Sequence, residues 1–498
     1  MVLLLSVASM MLVKAASIDR RPNVLFIAVD DMKDWVNCLG GYEGDVYTPN
    51  IDRLANRGVL FANAHCVSPK CAPSRAAIMT GLQPSTTGLY DNQHWWYPNF
   101  PKMVTMPIRF RQSGYSVFGS GKIFHHTAGN NPPRQWNDFK RLLFRDDPWF
   151  RGSKLNYPWT HTSPNPEGFP FSEVKGLPHE NDWGVIPVAD EDLDDVRTVD
   201  FAVRFLKSKQ DNPFFLACGL FRPHLPWYAP RRFFDLYPLA KVVAPKKSEE
   251  DLEDVPEAGK RFAAARRPDL DKIEEQGATL RAVQAYLASI SYADEQLGRI
   301  LDALESSEYN SNTVIVFWSD HGWHLGEKRH WHKSTLWEES TRIPLIITAP
   351  KLKPGVCDQP VSLLDLYPTL LDLCSISGDQ EFDGLSLMPQ LREPETKRQP
   401  VVIEFRKRNA AVRSARWRYI RYSDDSEELY DHKTDSNEWE NLASKSKYKM
   451  VKQRLAKWLP KKWAEPALSK NKFEFDPDSY SWKNKKTGKM YFGGNLDK

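Results

Sequence analysis

Cysteine is scarce in this chain, six residues in 498. None stands in a CxxC pair or in a Cys/His spacing of the zinc type, so neither a disulfide framework nor a structural zinc accounts for the fold. Long hydrophobic runs are also missing. The most apolar stretch, residues 2–13 (VLLLSVASMMLV), is too short to span a bilayer. Ala15, Ala16 and Ser17 after it have the small side chains a signal peptidase requires, although no basic residues precede the run. Residues 1–17 are therefore expected to be a signal peptide, and the chain to be exported to a periplasmic, extracellular or lysosome-like compartment. An excess of one charge is missing too: 68 Lys and Arg against 64 Asp and Glu leave +4, too little for binding nucleic acid by bulk charge. Neither a nucleic acid nor a membrane is an expected partner. There is no internal repeat and no low-complexity tract. Hydrophobic residues make up 41% and charged residues 27%, with mean hydropathy −0.55, the balance of a globular protein that folds in water.

The length exceeds what one core usually organises, so a large domain and a smaller one are expected. Residues 24–29 (VLFIAV) form an apolar run of strand length that ends abruptly at Asp30 and Asp31, the pattern of a parallel strand buried on both faces. Residues 48–58 (TPNIDRLANRG) carry an N-cap candidate, a first-turn proline and a closing glycine, which punctuate a helix. Further strands are predicted at 115–119, 214–218, 314–318 and 345–349, with helices at 281–306 and 363–373 between them. The result is an α/β fold: a large mixed, mostly parallel sheet sandwiched by helices. Pro- and Trp-rich stretches at 127–190 and 222–270 are too long for plain connections and are expected to shape a pocket. Composition turns charged and Pro-containing near 392–400. This places a large domain at 18–395 and a smaller α+β C-terminal subdomain at 396–498.

Several polar residues stand where the predicted strands end. Open α/β sheets bind ligands at the carboxyl ends of their strands. Asp30 and Asp31 follow the first strand; Ser319, Asp320 and His321 follow the run at 314–318. Two strands thus deliver hard ligands to one place, and carboxylate oxygens suit calcium or magnesium. Lys122 and His125 follow one strand-like run, Arg222 and His224 another, and Lys333 stands beyond Asp320. Fixed cations and proton donors of this kind serve reactions in which charge builds on a leaving oxygen.

Cys71-Ala72-Pro73-Ser74-Arg75, continuing to Thr80-Gly81, resembles the signature of the type I sulfatases, in which the cysteine becomes formylglycine. A lone cysteine is ordinarily a small buried hydrophobe, but other segments agree in chain order. Gly121-Lys122-x-x-His125, Arg222-Pro223-His224-x-Pro226 and Asp320-His321-Gly322-Trp323 followed by Lys333 resemble the iduronate-2-sulfatase branch, and residues 429–443 (LYDHKTDSNEWENLA) resemble a C-terminal sulfatase phrase. The resemblance implies an alkaline-phosphatase-like fold, a sulfuric ester hydrolase and one calcium ion held by Asp30, Asp31, Asp320, His321 and the modified Cys71. It also implies a formylglycine-generating enzyme as a maturation partner. In the catalytic roles it implies, Arg75 orients the formylglycine oxygens, Lys122 and Lys333 neutralise the sulfuryl group, His224 protonates the leaving alcohol and His125 serves as the base. The implied substrate is a sulfated sugar or polysaccharide, a 2-O-sulfated uronate above all. His94, Trp95, Trp96, Arg222, Trp323, Arg329, His330 and Trp337 are candidates for holding the sugar, each with pocket structure as its alternative.

Two other readings stand beside this one. The same superfamily includes phosphonate and phosphate monoester hydrolases. Lysines recurring from Lys445 onward read as a solvated outer face, with a polyanion-binding patch as the alternative; a catalytically silent polyanion binder would use that patch and an unmodified Cys71.

Overall fold

The computed structural model describes residues 21–141 and 170–494. The expected signal peptide lies outside the described residues, as does part of the stretch at 127–190. Eight strands form the main sheet: β1 (Asn23–Val29), β2 (Val59–Phe61), β3 (Ser116–Gly121), β4 (Asp138–Lys140), β5 (Phe214–Gly219), β6 (Thr313–Ser319), β7 (Leu345–Thr348) and β8 (Gly355–Cys357). Their order is β8-β2-β7-β6-β1-β5-β3-β4. Only β7 runs against its neighbours; β6, β1, β5, β3 and β4 pair parallel throughout. The mixed, mostly parallel sheet expected from the strand-length runs is therefore present.

Alternate residues of the central strands feed two different cores, because successive side chains point to opposite faces. Val24, Phe26 and Ala28 of β1, with Val314, Val316 and Trp318 of β6, face α2 (Cys71–Thr80) and α5 (Leu366–Leu373). Leu25, Ile27 and Val29, with Ile315 and Phe317, face α3 (Asp194–Leu206) and α4 (Thr279–Glu305). Every residue of β1 and β6 is buried, which is why both read as unbroken apolar runs. The helix at 48–58 is shorter than its punctuation, α1 (Pro49–Ala55), because the chain turns at Asn56 to enter β2.

Beyond residue 400 a four-stranded antiparallel sheet forms from β9 (Val401–Glu404), β10 (Ala410–Arg413), β11 (Trp417–Arg421) and β12 (Glu427–Asp431). A three-stranded sheet follows from β13 (Phe473–Asp476), β14 (Ser481–Asn484) and β15 (Met490–Phe492). One face of this C-terminal part does not close on itself. Ile403, Ala411, Ile420, Tyr430, Phe473 and Trp482 join the same core as α2 and β1. All six cysteines are free thiols.

Candidate active site

Parallel pairing sets the site. Val29 is in register with Ser319, so the next residues, Asp30 and Asp320, emerge side by side from adjacent strand ends. Gly219 of β5 is in register with Gly121 of β3, and Lys122 N donates to Gly219 O at 2.8 Å. A Cβ on Gly121 would lie 2.0 Å from Gly219 O; glycine there allows the backbone approach that turns Lys122 inward. Lys122 Nζ makes a short contact to Asp30 Oδ2.

Asp31 adopts φ 61°, a left-handed conformation that costs a side-chain-bearing residue about 1–2 kcal/mol. Its backbone is pinned on both sides: Asp31 N donates to Asp320 Oδ1 at 3.1 Å and Tyr286 OH donates to Asp31 O at 2.7 Å. The carboxylate accepts two contacts from Lys333 Nζ, at 2.6 and 2.7 Å. Lys333 is held in turn by a loop in which Lys328, Arg329, His332 and Ser334 all have positive φ.

Cys71 opens α2, with its side chain buried at the positive end of the helix. Its Sγ lies 3.4 Å from Lys333 Nζ and 3.2 Å from His321 Nε2. Arg75, one turn on, is fully buried. Its Nε donates to Asp320 Oδ2 at 2.8 Å and its Nη2 to Asp30 Oδ1 at 3.2 Å, while Nη1 reaches the carbonyls of Lys122 and Ile123. Ser74 Oγ donates to Asp320 O at 2.8 Å. The signature segment is thus tied to both strand ends by Ser74 and Arg75.

Charge in this buried cluster is uneven. Burial raises Asp31 to about 7 against the pull of Lys333, and burial together with Asp320 raises Asp30. Asp320 differs: burial opposes its ionisation, but Arg75, then His321 and Lys122, hold it well below the usual carboxylate range. Burial also raises the Cys71 thiol against Lys122 and Lys333, and lowers His321. Because His321 Nδ1 faces the carbonyl of Gly322 at 3.2 Å, which can only accept, Nε2 is the nitrogen with a lone pair toward Cys71. Ligand atoms of Asp30, Asp31, Cys71 and His321 all lie within 4.8 Å of one another. Buried carboxylates raised by desolvation and an imidazole with an inward lone pair fit a cation. The soft sulfur of Cys71 is the member that does not suit a hard ion. Asp320, predicted as a ligand, contacts His321 at 3.6 Å but spends Oδ1 on Asp31 N and Oδ2 on Arg75.

His224 sets Nε2 3.7 Å from Asp31 Oδ2 and 4.0 Å from Asp30 Oδ2. Its Nδ1 faces the carbonyl of Leu225 and so carries a hydrogen. His125 Nδ1 lies 2.8 Å from Thr127 Oγ1, and burial, then Lys122, keeps its ring well below the ordinary histidine pKa.

The residues predicted to hold a sugar divide into two groups. His94 and Arg329 are half-buried. Trp95, Trp96, Arg222, Trp323, His330 and Trp337 are buried in pocket structure instead. Trp95 packs on Phe475 and Trp482 and donates to Ala128 O at 2.9 Å; Trp96 stacks on Phe124. Arg222 donates Nε to Tyr228 O at 2.9 Å, and both ring nitrogens of His330 face the carbonyls of Ala263 and Lys333. Trp323 lies under Lys333 Nζ at 5.0 Å, and Trp337 donates to Glu428. All six are buried among these partners. Sequence reasoning missed Asn92, whose Oδ1 accepts from Ala72 N at 3.0 Å, and Thr127, which holds His125. It also missed Lys470, whose Nζ donates to Thr127 Oγ1 at 3.0 Å.

The mixed sheet covered by helices on both faces, with a buried thiol, carboxylates and an imidazole gathered at its carboxyl end, is a fold of the alkaline-phosphatase-like class. Residues 22–376 match the sulfatase family, and residues 326–465 match the C-terminal part of N-sulphoglucosamine sulphohydrolase. The chain belongs to the sulfatase family and is a sulfuric ester hydrolase. It is 38% identical to a sulfatase of Formosa agariphila over 459 residues, 89% of this chain and 87% of that protein. It is 33% identical to iduronate 2-sulfatase of Homo sapiens over 348 residues, 66% of this chain and 60% of that protein. A phosphonate monoester hydrolase from Silicibacter pomeroyi shares the fold with TM-score 0.70 and 26% identity, covering 88% of this chain and 94% of that one.

Proposed function

We propose that the protein is a formylglycine-dependent, calcium-binding sulfatase of a 2-O-sulfated uronate in a sulfated polysaccharide. The observation that carries the reading is the placement of the Cys71 thiol, buried at the start of α2 between Lys333 Nζ and His321 Nε2 and beside two buried carboxylates. Converting that thiol to an aldehyde supplies a hydrated oxygen nucleophile in place of sulfur and makes the donor set hard. When bound, calcium would be held by Asp30, Asp31, His321 and the oxygen at position 71, with Asp320 beside it fixing Asp31 and Arg75, and would supply positive charge to the sulfuryl group.

The remaining work falls to this chain's side chains. Lys122 and Lys333 reach Asp30 and Asp31 and are placed to neutralise sulfuryl oxygens as charge moves to the leaving group. Arg75 fixes the cluster from below. His224, with Nδ1 committed to a carbonyl, holds a second proton on Nε2 for the departing alcohol. His125, kept neutral by burial and neighbouring cations, accepts a proton. The uronate rests on the likeness to iduronate 2-sulfatase. Maturation by a formylglycine-generating enzyme and export from the cytoplasm complete the reading.

The likeness to a phosphonate monoester hydrolase favours one rival, a phosphonate or phosphate monoesterase. Mass spectrometry of the Cys71 peptide, from protein matured beside a control sulfatase, separates these readings when paired with sulfate and phosphonate esters assayed together. A loss of about 18 Da at Cys71 with turnover of a 2-O-sulfated uronate is expected. An intact thiol where the control is converted overturns the formylglycine reading. A modified Cys71 with preference for phosphonate moves the activity to the rival.

A further inference from the structure

Fourteen Lys and Arg stand against four Asp and Glu over residues 445–490, while the whole chain carries only +4, so the rest of the protein is net negative. Within the three-stranded sheet the charge is sorted by end. Asp476 and Asp478 lie at the turn joining β13 to β14, where Ser479 Oγ donates to Asp476 Oδ2 at 2.5 Å. Lys483, Lys485, Lys486 and Lys489 lie at the other end, around the turn joining β14 to β15, and all four are exposed. Lys472 is at this same end, since Lys485 N donates to Lys472 O at 2.9 Å. Among the described residues none of these five lysines forms an ion pair; Glu474, in register with Lys483, is the acid on the adjoining strand.

The basic end is joined to the active site at His125. Lys470 and Lys472 belong to one short turn entering β13. Lys470 N donates to Gln93 O at 2.7 Å, and its Nζ reaches Thr127 Oγ1, the group that holds His125. Trp95 anchors the sheet from beneath through Phe475 and Trp482. The cations therefore run outward from beside the proposed base to the surface.

We propose that the basic end of this sheet is a polyanion subsite, in which Lys472, Lys483, Lys485, Lys486 and Lys489 hold sulfate and carboxylate groups of the polysaccharide continuing beyond the residue that is cut. The inference rests on the sulfated-polysaccharide reading above and adds a preference for chains over fragments. Charge complementarity and continuity with the active site through Lys470 and Thr127 select this occupant, and its binding weakens with salt because lysine–sulfate contacts release counterions.

The test compares a heparan dodecasaccharide capped by a 2-O-sulfated uronate with the capped disaccharide, at several salt concentrations. Lys483→Gln, Lys485→Gln, Lys486→Gln and Lys489→Gln combined should lower the ratio of kcat/KM for the long over the short substrate by about tenfold and make its salt dependence shallower. Arginine at the same positions should restore the ratio. A matched set, Lys447→Gln, Lys449→Gln, Arg454→Gln and Lys457→Gln, lies around the helix that packs on β11 rather than on the hairpin. An unchanged ratio in the hairpin variant overturns the proposal, as does an equal fall in the matched set. Retention on immobilised heparan sulfate keeps the two readings apart. Protein that binds there through the hairpin but cleaves neither substrate refutes the uronate sulfatase reading alone.

Discussion

His224 is the residue whose role is most sharply separable from the rest of the site. An imidazole with Nδ1 fixed on a carbonyl can gain or give up a proton at Nε2 without losing its position. His224→Ala should lower kcat on alkyl sulfates by about 10²–10⁴-fold, the usual worth of a positioned acid, and lower it much less on 4-nitrophenyl sulfate, whose leaving group needs little protonation. Equal losses on the two esters would remove His224 as the acid. At this scale the sequence exposed what strand ends force together. Asp30, Asp31, Asp320 and His321 were legible because each follows an apolar run, and Cys71, Ser74 and Arg75 because they form a compact motif. Thr127 and Lys470 carried no such signal: they meet across 343 residues of sequence, and neither continues a strand or a motif. The tryptophans stayed between sugar contact and pocket structure for a related reason, since composition shows an aromatic near a site but not which of its faces is covered.

Elements of the C-terminal part act as braces rather than as a detached unit, and Glu404 of β9 shows how. Its backbone N donates to Val67 O at 2.9 Å, while Oε2 and Oε1 accept from Ser85 N and Ser85 Oγ, each at 2.7 Å. Burial raises its pKa from 4.5 to about 8 even though Ser85 favours the ionised form. The folded state therefore holds a proton that the unfolded chain releases near 4.5. The stabilisation is complete below that pH and is lost as pH rises toward about 8, at no more than about 1.4 kcal/mol per pH unit. Urea midpoints measured from pH 5 to 8 should fall more steeply in the wild type than in Glu404→Gln, whose amide can still accept from Ser85 N. Parallel curves would show that Glu404 does not hold that proton. β1, β3, β5, β6 and β7 were legible as apolar runs, and α1, α4 and α5 as helical stretches, whereas the short β2, β4 and β8 and the helix α3 were not read from the sequence. The boundaries of the legible elements shifted by up to three residues, and the shared core was not visible because β9 to β12 have the patterning of an independent sheet. Only the packing of Ile403, Ala411 and Ile420 beside α2 reveals that one face is covered by the larger part.

At the scale of the whole molecule the site is built so that a bound cation would act as a clasp. Asp30 and Asp31 end β1, Cys71 begins α2 and His321 follows β6, so a cation held among them joins three parts of the fold that sequence order keeps far apart. Without one, Lys122 and Lys333 supply compensation, yet desolvation still raises Asp30 and Asp31. A cation that binds only the folded chain stabilises it by mass action, about 2.7 kcal/mol at a free concentration a hundredfold above Kd. In a protein of this size that is a rise in Tm of a few degrees. Calcium added to chelator-treated protein should produce such a rise, and magnesium a smaller one, because calcium tolerates the irregular, oxygen-rich set better. Protein converted at Cys71 should respond more strongly than the thiol form, in which sulfur replaces a hard oxygen. Asp31→Asn should abolish most of the response while leaving Lys333 buried without its partner, so its metal-free Tm should also be lower. A calcium response of the same size in Asp31→Asn would place the ion elsewhere, and no response in converted wild-type protein would leave Lys122, Lys333 and Arg75 as the counter-charge the site uses.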